Sequence, residues 1–381
     1  MVLHSLSTGI TFDDVLLVPG YSNFDRSSIT LSTKLTKKIT LSIPFISAPM
    51  DTVTESSLAV RLGELGGLGI IHRNLTVDRQ ADEVSKVSKK HILVGAAIGV
   101  SQGYEERVRA LLRAGANLIC LGSAHGYTKA LLRVLRSLKR TYPQLDVMAG
   151  NIATYEGARA LIAAGADCLR VGMGPGAICT TRIVSGMGVP QITALLDVTR
   201  AAKRTKTPII ADGGIKYSGD MTKALAAGAS CCMMGSFFAS CEEAPGKLYH
   251  LSPEHIPARF KSIIGPKPKQ TYLFKSYRGM GSVGAMKDGA KIKSEDEFHG
   301  KNYGDKVLVA EGVEGMVPVK GTVKNVLDQA IGGIKSGMYY VGVRSITELQ
   351  RKAHFLQITQ ASLTESHPHN ILVTNPGESY T

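Results

Sequence analysis

Tryptophan is absent from the 381 residues, and no apolar run approaches the roughly 18 residues that a membrane-spanning helix needs. Residues 1–7 also lack the basic segment and apolar stretch that open a secretory signal. The six cysteines include no Cys-x-x-Cys pair and none of the regular spacing that staples small secreted domains. These absences predict a cytoplasmic protein with free thiols and no membrane partner.

The sequence carries a formal charge of +14, from 45 Lys and Arg against 31 Asp and Glu. Basic residues such as Arg133, Arg136, Lys139 and Arg140 fall on the outer faces of predicted helices. No zinc-finger, RNP or helix-turn-helix pattern accompanies them. The charge is therefore more typical of a solvated surface that attracts small anions than of nucleic-acid binding, which would show a steep salt dependence.

Short apolar runs alternate with amphipathic stretches along most of the chain. Eight runs are continuously apolar, which is typical of parallel strands buried on both faces: residues 45–48, 68–72, 94–99, 118–121, 146–150, 168–172, 208–211 and 231–235. Predicted helices between them include 105–114, 130–141, 157–164, 192–204 and 220–227. Three of these helices end in Ala-Gly, at Gly115, Gly165 and Gly228, where glycine supplies a left-handed C-cap. The pattern predicts the α/β class and a (β/α)₈ TIM barrel, with residues 1–381 forming one catalytic domain.

Glycine and polar residues follow several predicted strands, at the end where such barrels carry their chemistry. Residues 172–182 form a loop of three glycines and a proline that presents Cys179, a residue type that becomes a strong nucleophile as the thiolate. The tips of strands seven and eight, Asp212-Gly213-Gly214 and Gly235-Ser236, lie where this fold commonly binds phosphate. Because the Asp212 carboxylate would repel phosphate, we expect it to bind a sugar diol.

Three segments lie outside the repeated units. The apolar stretch at 12–18 predicts a strand pair or a lid. Residues 270–325 are rich in Gly and Lys with little periodicity, so we expect a long mobile flap there, at 285–320. Glu311 in this segment, taken alone, is more typical of a solvated loop charge than of a catalyst. A helical region at 323–356 and a polar C-terminal tail follow.

Six stretches spread over nearly the whole chain carry a family resemblance: 9–19, 47–55, 69–72, 172–182, 210–214 and Tyr277-Arg278-Gly279-Met280-Gly281-Ser282. Taken in order, they resemble the IMP dehydrogenase/GMP reductase family. The resemblance implies a barrel oxidoreductase that acts at C2 of a purine nucleoside monophosphate (GMP or IMP), through a covalent thioimidate on a cysteine. It also implies NADP or NAD as co-substrate, a bound monovalent cation (K⁺) and a homotetramer.

The resemblance also implies roles for individual residues. Cys179 would be the nucleophile, and Thr181 and Glu311 would handle the proton of water or ammonia. The nucleotide would contact Ser47, Met50, Asp212, Gly213, Gly214, Gly235, Ser236, Tyr277, Gly279, Met280 and Gly281. The co-substrate would contact Ser123, Ala124, Asn151 and Gly172. The cation would sit on Gly174, Gly176 and Cys179, with Glu365, Ser366 and His367 of a neighbouring subunit.

Two departures from the family pattern bear on domain organisation and reaction. Residues 84–92 are too short to hold the pair of regulatory CBS domains that many family dehydrogenases insert between strands two and three. The flap has Glu297-Phe298 where the dehydrogenases carry an Arg-Tyr dyad whose arginine activates water. Without that base, hydrolysis would be slow, whereas expulsion of ammonia would not need it. This second departure favours a GMP reductase, which converts GMP and NADPH to IMP and ammonia.

Other features leave an IMP dehydrogenase as the alternative, converting IMP, NAD⁺ and water to XMP and NADH. Residues 278–286, 332–336 and 365–367 are more similar to dehydrogenases than to the short reductases. A substitute base could come from His299, Lys301 or Lys306. A further alternative is an impaired, nucleotide-binding regulator, because Gly122 replaces the family's co-substrate-binding aspartate and Ala177 replaces a phosphate-binding serine. The intact Cys179, Thr181 and Glu311 argue against that third interpretation.

Overall fold

Eight parallel strands close into a barrel in the computed structural model, which describes residues 7–264, 269–292, 297–298, 301–302, 309–371, 373–374 and 377. The strands are β1 (Phe45–Ser47), β2 (Leu68–Ile71), β3 (Val94–Ile98), β4 (Leu118–Gly122), β5 (Asp146–Ile152), β6 (Cys168–Val171), β7 (Ile209–Asp212) and β8 (Cys231–Met234). Each strand pairs with the next along the chain, and β8 pairs with β1. The predicted α/β class and (β/α)₈ TIM barrel are confirmed.

The apolar runs form strands because both of their faces are buried. All five residues of β3 are buried, as are all four of β2 and of β8. One face joins a cluster inside the barrel that includes Leu118, Cys120, Met148 and Cys168. The other face packs against the surrounding helices in a second, larger cluster. A continuous apolar run is what such a two-sided burial requires.

Eight helices surround the barrel: α1 (Ser56–Glu64), α2 (Val77–Ser88), α3 (Tyr104–Arg113), α4 (Lys129–Thr141), α5 (Tyr155–Ala163), α6 (Gln191–Ala202), α7 (Ser218–Ala226) and α8 (Val323–Val341). The predicted helices exist but begin one or two residues earlier than expected. Threonine N-caps fix two of these starts, since Thr128 accepts from Leu131 N and Thr154 from Gly157 N. Gly115, Gly165 and Gly228 all have φ values near +100°, which confirms the predicted glycine C-caps. A single helix, α2, connects β2 to β3.

The two ends of the chain pair with each other. Strand Val15–Leu17 follows the 3₁₀ turn Phe12–Asp14 and runs antiparallel to Phe355–Gln357. The strand pair expected at 12–18 is therefore present, and its partner strand lies at the far end of the chain. The helical region predicted at 323–356 consists of α8 and the helix Ile346–Lys352, separated at Gly342 (φ 80°), and its last two residues belong to this strand instead.

A small sheet stands beside the barrel after β8. It orders strands Leu248–Leu251, Tyr272–Arg278 and Glu314–Pro318, and helix Val283–Lys291 follows its central strand. Much of the stretch at 270–325 thus has regular structure, although its sequence period is weak. Within the predicted flap at 285–320, residues 293–296, 299–300 and 303–308 lie outside the described residues.

The remaining short elements complete the described architecture: hairpin strands Thr33–Lys34 and Thr40–Leu41, strands Glu297–Phe298 and Lys301–Asn302, helices Thr181–Ser185, Ser236–Ala239, Ile346–Lys352 and Gln360–Glu365, and 3₁₀ turns Arg26–Ser28, Pro253–His255 and Ala258–Ile263. Leu35 and Leu41 from the first hairpin join the cluster inside the barrel. None of the helices in the described part of the chain has the length and apolar character that a bilayer crossing requires.

Candidate active site

A pocket of about 230 Å³ opens at the carboxyl ends of the barrel strands. It brings together most of the residues predicted from sequence: Met50, Ser123, Ala124, Asn151, Gly172, Gly174, Gly176, Cys179, Thr181, Asp212, Gly213, Gly235, Tyr277, Gly279, Met280, Gly281 and Glu311. A smaller cavity of about 30 Å³ is lined by Gly214 and Ser236 and shares Gly213, Gly235 and Tyr277 with the first. The strand tips therefore meet in one place, as the barrel rule requires.

The Cys179 thiol starts a chain of two hydrogen bonds. Its Sγ donates to Thr181 Oγ1 at 3.2 Å, and that hydroxyl donates to Glu311 Oε2 at 3.0 Å. All three side chains are partly exposed to the pocket. A proton can therefore pass from the thiol, through the hydroxyl, to the carboxylate.

Glu311 comes from the segment after the small sheet's central strand, and the backbone fixes its position. Thr180 N donates to Glu311 O at 3.1 Å, and Glu311 N donates to Gly281 O at 3.0 Å. Two residues later, Val313 N donates to Ile178 O at 2.9 Å. From the sequence alone Glu311 was more typical of a solvated charge, because nothing in the sequence shows that its segment pairs with the Cys179 loop.

The other five cysteines are buried among apolar side chains: Cys120, Cys168, Cys231, Cys232 and Cys241. Burial raises the pKa of each of these thiols, to about 12 for Cys232 and Cys241. They are therefore neutral and inaccessible, whereas Cys179 is partly exposed.

Selective alkylation follows from this difference. Brief treatment of the native protein with iodoacetamide, near pH 8, is expected to modify Cys179 well before the buried thiols, because only accessible thiolate reacts. Peptide mapping by mass spectrometry measures the sites. Unfolded protein, in which all six thiols should react, is the control. Equal native labelling of Cys179 and Cys241 would contradict this assignment.

Asp212, at the tip of β7, is held by two neighbours. Its Oδ2 accepts from Arg170 Nε at 2.8 Å and from Asn151 Nδ2 at 2.7 Å. No hydrogen bond to its Oδ1 is formed within the part of the chain that the structure describes, and Asp212 lines the pocket. The second oxygen can therefore accept from ligand hydroxyls, as expected for a residue that binds a sugar diol.

Arg170 and Gln191 were missed by the sequence analysis. Arg170 is a charged residue within the otherwise apolar β6, and that mismatch is the signal that could have revealed it. Gln191 is fully buried and donates to the carbonyls of Val171 and Asp212, which ties β6 to β7. Gly172, which directly follows β6, has a φ of 150°. A Cβ at this position would overlap the Asp212 carbonyl oxygen.

The predicted phosphate cradle is a tight backbone corner. Gly213 and Gly214 have φ values of 90° and 77°, a conformation that favours glycine. Tyr277 is buried, and burial raises the pKa of its phenol, so the hydroxyl stays protonated. A Cβ on Gly235 would lie 2.5 Å from the Tyr277 hydroxyl. The two strand tips and this hydroxyl are therefore close enough to surround one small anion.

Two sets of predicted residues are not brought to the pocket. The Ser47 side chain is fully buried and accepts from the Thr54 hydroxyl at 2.9 Å, which turns it into the barrel wall and away from the pocket. Its contact with the nucleotide stays a prediction. Glu365 ends the helix Gln360–Glu365, and Ser366 and His367 follow it. The His367 ring packs edge-on against Tyr217 of the same chain.

An ion-pair cluster joins the small sheet to the barrel mouth. Arg278 contacts Asp51 through both Nε (3.2 Å) and Nη2 (2.7 Å), and it also contacts Asp288 at 3.0 Å. Asn74 donates to the same Asp51 carboxylate at 2.8 Å. The Asp51 side chain is only 8% exposed, so loss of the guanidinium would leave a buried charge without its ion pair.

Replacement of this arginine should therefore destabilise the fold. We expect Arg278→Met to lower the free energy of unfolding by about 3 kcal/mol, because removing one partner of a buried pair is costly. Thermal denaturation measures the change. Lys291→Met is the matched control: Lys291 also pairs with Asp288 but is 75% exposed, so its loss should have little effect. Equal melting temperatures for the two variants would contradict this role of Arg278.

Comparison with known proteins agrees with this arrangement. A model of the IMP dehydrogenase / GMP reductase domain matches residues 9–369. A relative from Borreliella burgdorferi, named inosine-5′-monophosphate dehydrogenase, is 41% identical over an alignment of 412 positions. The alignment covers 95% of this chain and 97% of the relative. Relatives of the same name from Cryptosporidium parvum (40% identical, 99% of each chain) and Haemophilus influenzae (36% identical, 100% of this chain and 99% of the relative) are also similar. The chain is therefore an oxidoreductase that belongs to the IMP dehydrogenase/GMP reductase family.

Proposed function

We propose that this chain is an IMP dehydrogenase, which converts IMP, NAD⁺ and water to XMP and NADH. The relatives carry that name, and they cover nearly the whole chain. The observation that carries the proposal is the hydrogen-bonded chain from Cys179 through Thr181 to Glu311. It supplies a nucleophile and a proton acceptor at one point of the pocket.

The pocket suggests how the nucleotide binds. The phosphate lies on the cradle of Gly214, Gly235, Ser236 and Tyr277, and the ribose hydroxyls donate to Asp212 Oδ1. The purine then extends towards Met50, Met280 and Cys179, which line the same pocket. This orientation presents C2 of the base to the thiol.

The redox step joins sulfur to carbon. Cys179 gives up its proton through Thr181 to Glu311, and the thiolate adds to C2 of IMP as the electrons of the C2=N3 double bond move to N3. A hydride ion then leaves C2 for the nicotinamide of the co-substrate, held near Ser123, Ala124, Asn151 and Gly172, and the C2=N3 double bond forms again. The purine remains attached to Cys179 as a thioimidate.

Hydrolysis releases the product. Water adds its oxygen to C2, the C2–S bond breaks, and Cys179 recovers as the thiolate. Glu311 first releases to solvent the proton that it took from the thiol. One proton of the water then goes to the purine ring nitrogen N3, and the other passes through Thr181 to Glu311. These two residues thus serve as the base, since Glu297-Phe298 replaces the family's Arg-Tyr dyad and its arginine.

A GMP reductase remains the second candidate, because Glu297-Phe298 favours it in the sequence. The names of the relatives favour the dehydrogenase. His299 and Lys306, which could replace the missing base, lie outside the described residues, and Lys301 belongs to a short strand. A regulator without turnover is disfavoured, because a pure binding protein needs no nucleophile beside a proton acceptor.

Nicotinamide absorbance with the purified full-length protein distinguishes these candidates. IMP with NAD⁺ should give steady formation of reduced cofactor, whereas GMP with NADPH or NADH should give no oxidation above background. Oxidation that depends on GMP would overturn the proposal in favour of the reductase. Nucleotide binding without either reaction would favour the regulator.

We also propose that a monovalent cation, K⁺, binds the carbonyls of Gly174, Gly176 and Cys179. Carbonyl oxygens are suitable ligands for such ions. The carbonyls of Gly174 and Cys179 accept no hydrogen bond from the described residues, while Cys179 N donates to Gly176 O at 3.0 Å and holds the loop closed. The residues therefore fit the ion, which would stabilise the loop that carries the nucleophile. Glu365, Ser366 and His367 would complete the site from a neighbouring subunit of a homotetramer.

The remaining proposals concern the co-substrate and the setting. NAD is the expected co-substrate of a dehydrogenase, with NADP as the alternative that the reductase would use. Residues 1–381 form one catalytic domain without a CBS pair, in accord with the single helix α2 between β2 and β3. We place the protein in the cytoplasm, and we expect neither a membrane nor nucleic acid as a partner.

A further inference from the structure

An arginine from the middle of the Cys179 loop closes that loop at its base. The chain enters the loop at Met173, after β6, and leaves it at Val189, before α6, and these two residues form an isolated antiparallel bridge. Arg182 donates from Nε to the Met173 carbonyl at 3.2 Å and from Nη2 to the Val189 carbonyl at 2.7 Å. One planar guanidinium therefore joins the middle of the loop to both of its ends.

Two glycines form the passage for this side chain. A Cβ on Gly174 would lie 2.6 Å from Arg182 Cγ, and a Cβ on Gly188 would lie 2.7 Å from the same atom. Carbon atoms that are not bonded to each other pack at about 3.5–4.0 Å, so a larger residue at either position would displace the arginine. The loop sequence is thus adapted to this contact, which an arginine that merely extends into solvent would not require.

Packing can contribute little to the position of this part of the loop. The helix Thr181–Ser185 has five residues, and residues 183–188 are all exposed. Segments with few buried contacts open readily. The bond from Thr180 N to Glu311 O attaches the start of the helix to the pocket wall, and the Arg182 side chain attaches its second residue to the loop base. The arginine therefore fixes the backbone that directly follows Thr181.

We propose that Arg182 is a positioning residue, which holds Thr181 and the Cys179 thiol in the geometry that the reaction needs. Thr181 Oγ1 lies 3.2 Å from Cys179 Sγ and 3.0 Å from Glu311 Oε2, so a small shift of its backbone interrupts the proton path. In the described part of the chain Arg182 does not line the pocket, and it acts through these neighbours. This inference rests on the proposed function, in which Cys179 is the nucleophile and Thr181 relays its proton.

Kinetics of Arg182→Met with IMP and NAD⁺ separate positioning from binding. We expect kcat to fall by about 10²-fold, because a displacement of about 1 Å at the reacting groups has an effect of this size. The KM for IMP and its affinity by calorimetry should stay within about threefold, because the contacts proposed for phosphate and ribose lie elsewhere. The first turnover, measured as NADH formation after rapid mixing, should slow by a similar factor to kcat, because addition of the thiol precedes the hydride step.

Two further variants change the contact in steps. Arg182→Lys keeps the charge and can still reach one carbonyl, so it should be at least about tenfold faster than Arg182→Met. Gly188→Ala leaves the arginine in place but adds a methyl group 2.7 Å from its Cγ, so it should lower kcat by about tenfold. Ile183→Ala is the control from the same helix, since its side chain is 87% exposed and its loss should leave kcat within about twofold. Circular dichroism and melting temperatures close to those of the wild type confirm that each variant is folded.

Hydrogen exchange followed by mass spectrometry tests the contact without turnover. The amides of Ile183 and Val184 both donate to Thr180 O, at 3.0 and 2.9 Å. In Arg182→Met the peptide that contains them should exchange at least about tenfold faster than in the wild type, because the helix opens more often. Peptides from α4, on the outside of the barrel, should exchange at the wild-type rate.

Two results would overturn this role of Arg182. One is a folded Arg182→Met enzyme, or a folded Gly188→Ala enzyme if the first variant does not fold, whose kcat lies within about threefold of the wild type. The other is an Arg182→Lys enzyme that is no faster than Arg182→Met. A wild type without turnover of IMP would instead contradict the proposed function, and hydrogen exchange would then still decide whether Arg182 holds the loop.

Discussion

Cys179→Ala is expected to lower the rate of NADH formation from IMP and NAD⁺ by more than about 10⁴-fold, since removal of a covalent nucleophile leaves only binding and positioning. The affinity for IMP should change by less than about threefold, because the contacts that we propose for the phosphate and ribose involve the tips of β7 and β8 and Tyr277, and not the thiol. Steady-state kinetics and calorimetry measure the two quantities on the same preparation.

Cys232→Ala is the matched control for this substitution. Cys232 is fully buried between the barrel and α7 and does not line the pocket, so its loss should affect stability and leave turnover nearly unchanged. If Cys179→Ala kept more than about one hundredth of the wild-type rate, the covalent scheme would be untenable. A similar loss in both variants would instead indicate a general effect of the Cys-to-Ala change on folding.

Glu311→Gln should separate the two halves of the reaction. The amide keeps the size of the side chain but cannot accept the proton that Thr181 passes on, so hydrolysis should slow by about 10²–10³-fold. Cys179 can still lose its proton to solvent, and the hydride step should therefore continue. Rapid mixing of enzyme with IMP and NAD⁺ is expected to show a burst of about one NADH per active site, followed by very slow turnover.

Glu314→Gln provides the comparison for this experiment. Glu314 lies three residues further along the same segment and accepts from Gly284 N, outside the pocket. Its substitution should leave both the burst and the steady rate close to those of the wild type. A Glu311→Gln enzyme with normal steady turnover would show that another group activates water, and residues 297–306 would be the place to search. Loss of the burst as well would mean that Glu311 is needed for the hydride step.

The barrel could be predicted from the sequence because each unit carries its own local signals. Continuous apolar runs mark the strands, and Ala-Gly pairs at Gly115, Gly165 and Gly228 mark helix ends. The location of the site could also be predicted, because enzymes with this barrel carry their chemistry at the carboxyl ends of the strands. That rule needs no knowledge of side-chain contacts. Cys179 and Asp212 could be identified in this way, since Asp212 ends β7 and Cys179 lies in the loop that follows β6.

Long-range contacts could not be predicted in the same way. Strand Val15–Leu17 pairs with Phe355–Gln357, more than 300 residues away in the sequence. Nothing in the sequence of either segment indicates which strand it pairs with. Glu311 is held beside the Cys179 loop by backbone hydrogen bonds. No periodic pattern in the sequence indicates that these two segments pair. Ser47 lies at the expected strand end, but the two-residue period turns it into the wall, where Thr54 is its hydrogen-bond partner.

Rapid-quench peptide mapping of the wild-type enzyme mixed with IMP and NAD⁺ would detect the proposed covalent intermediate itself. We expect a purine nucleotide adduct on the peptide that contains Cys179, formed at the rate of the hydride step and lost as XMP appears. Steady turnover without any adduct, or an adduct on another cysteine, would contradict the assignment of Cys179 as the nucleophile.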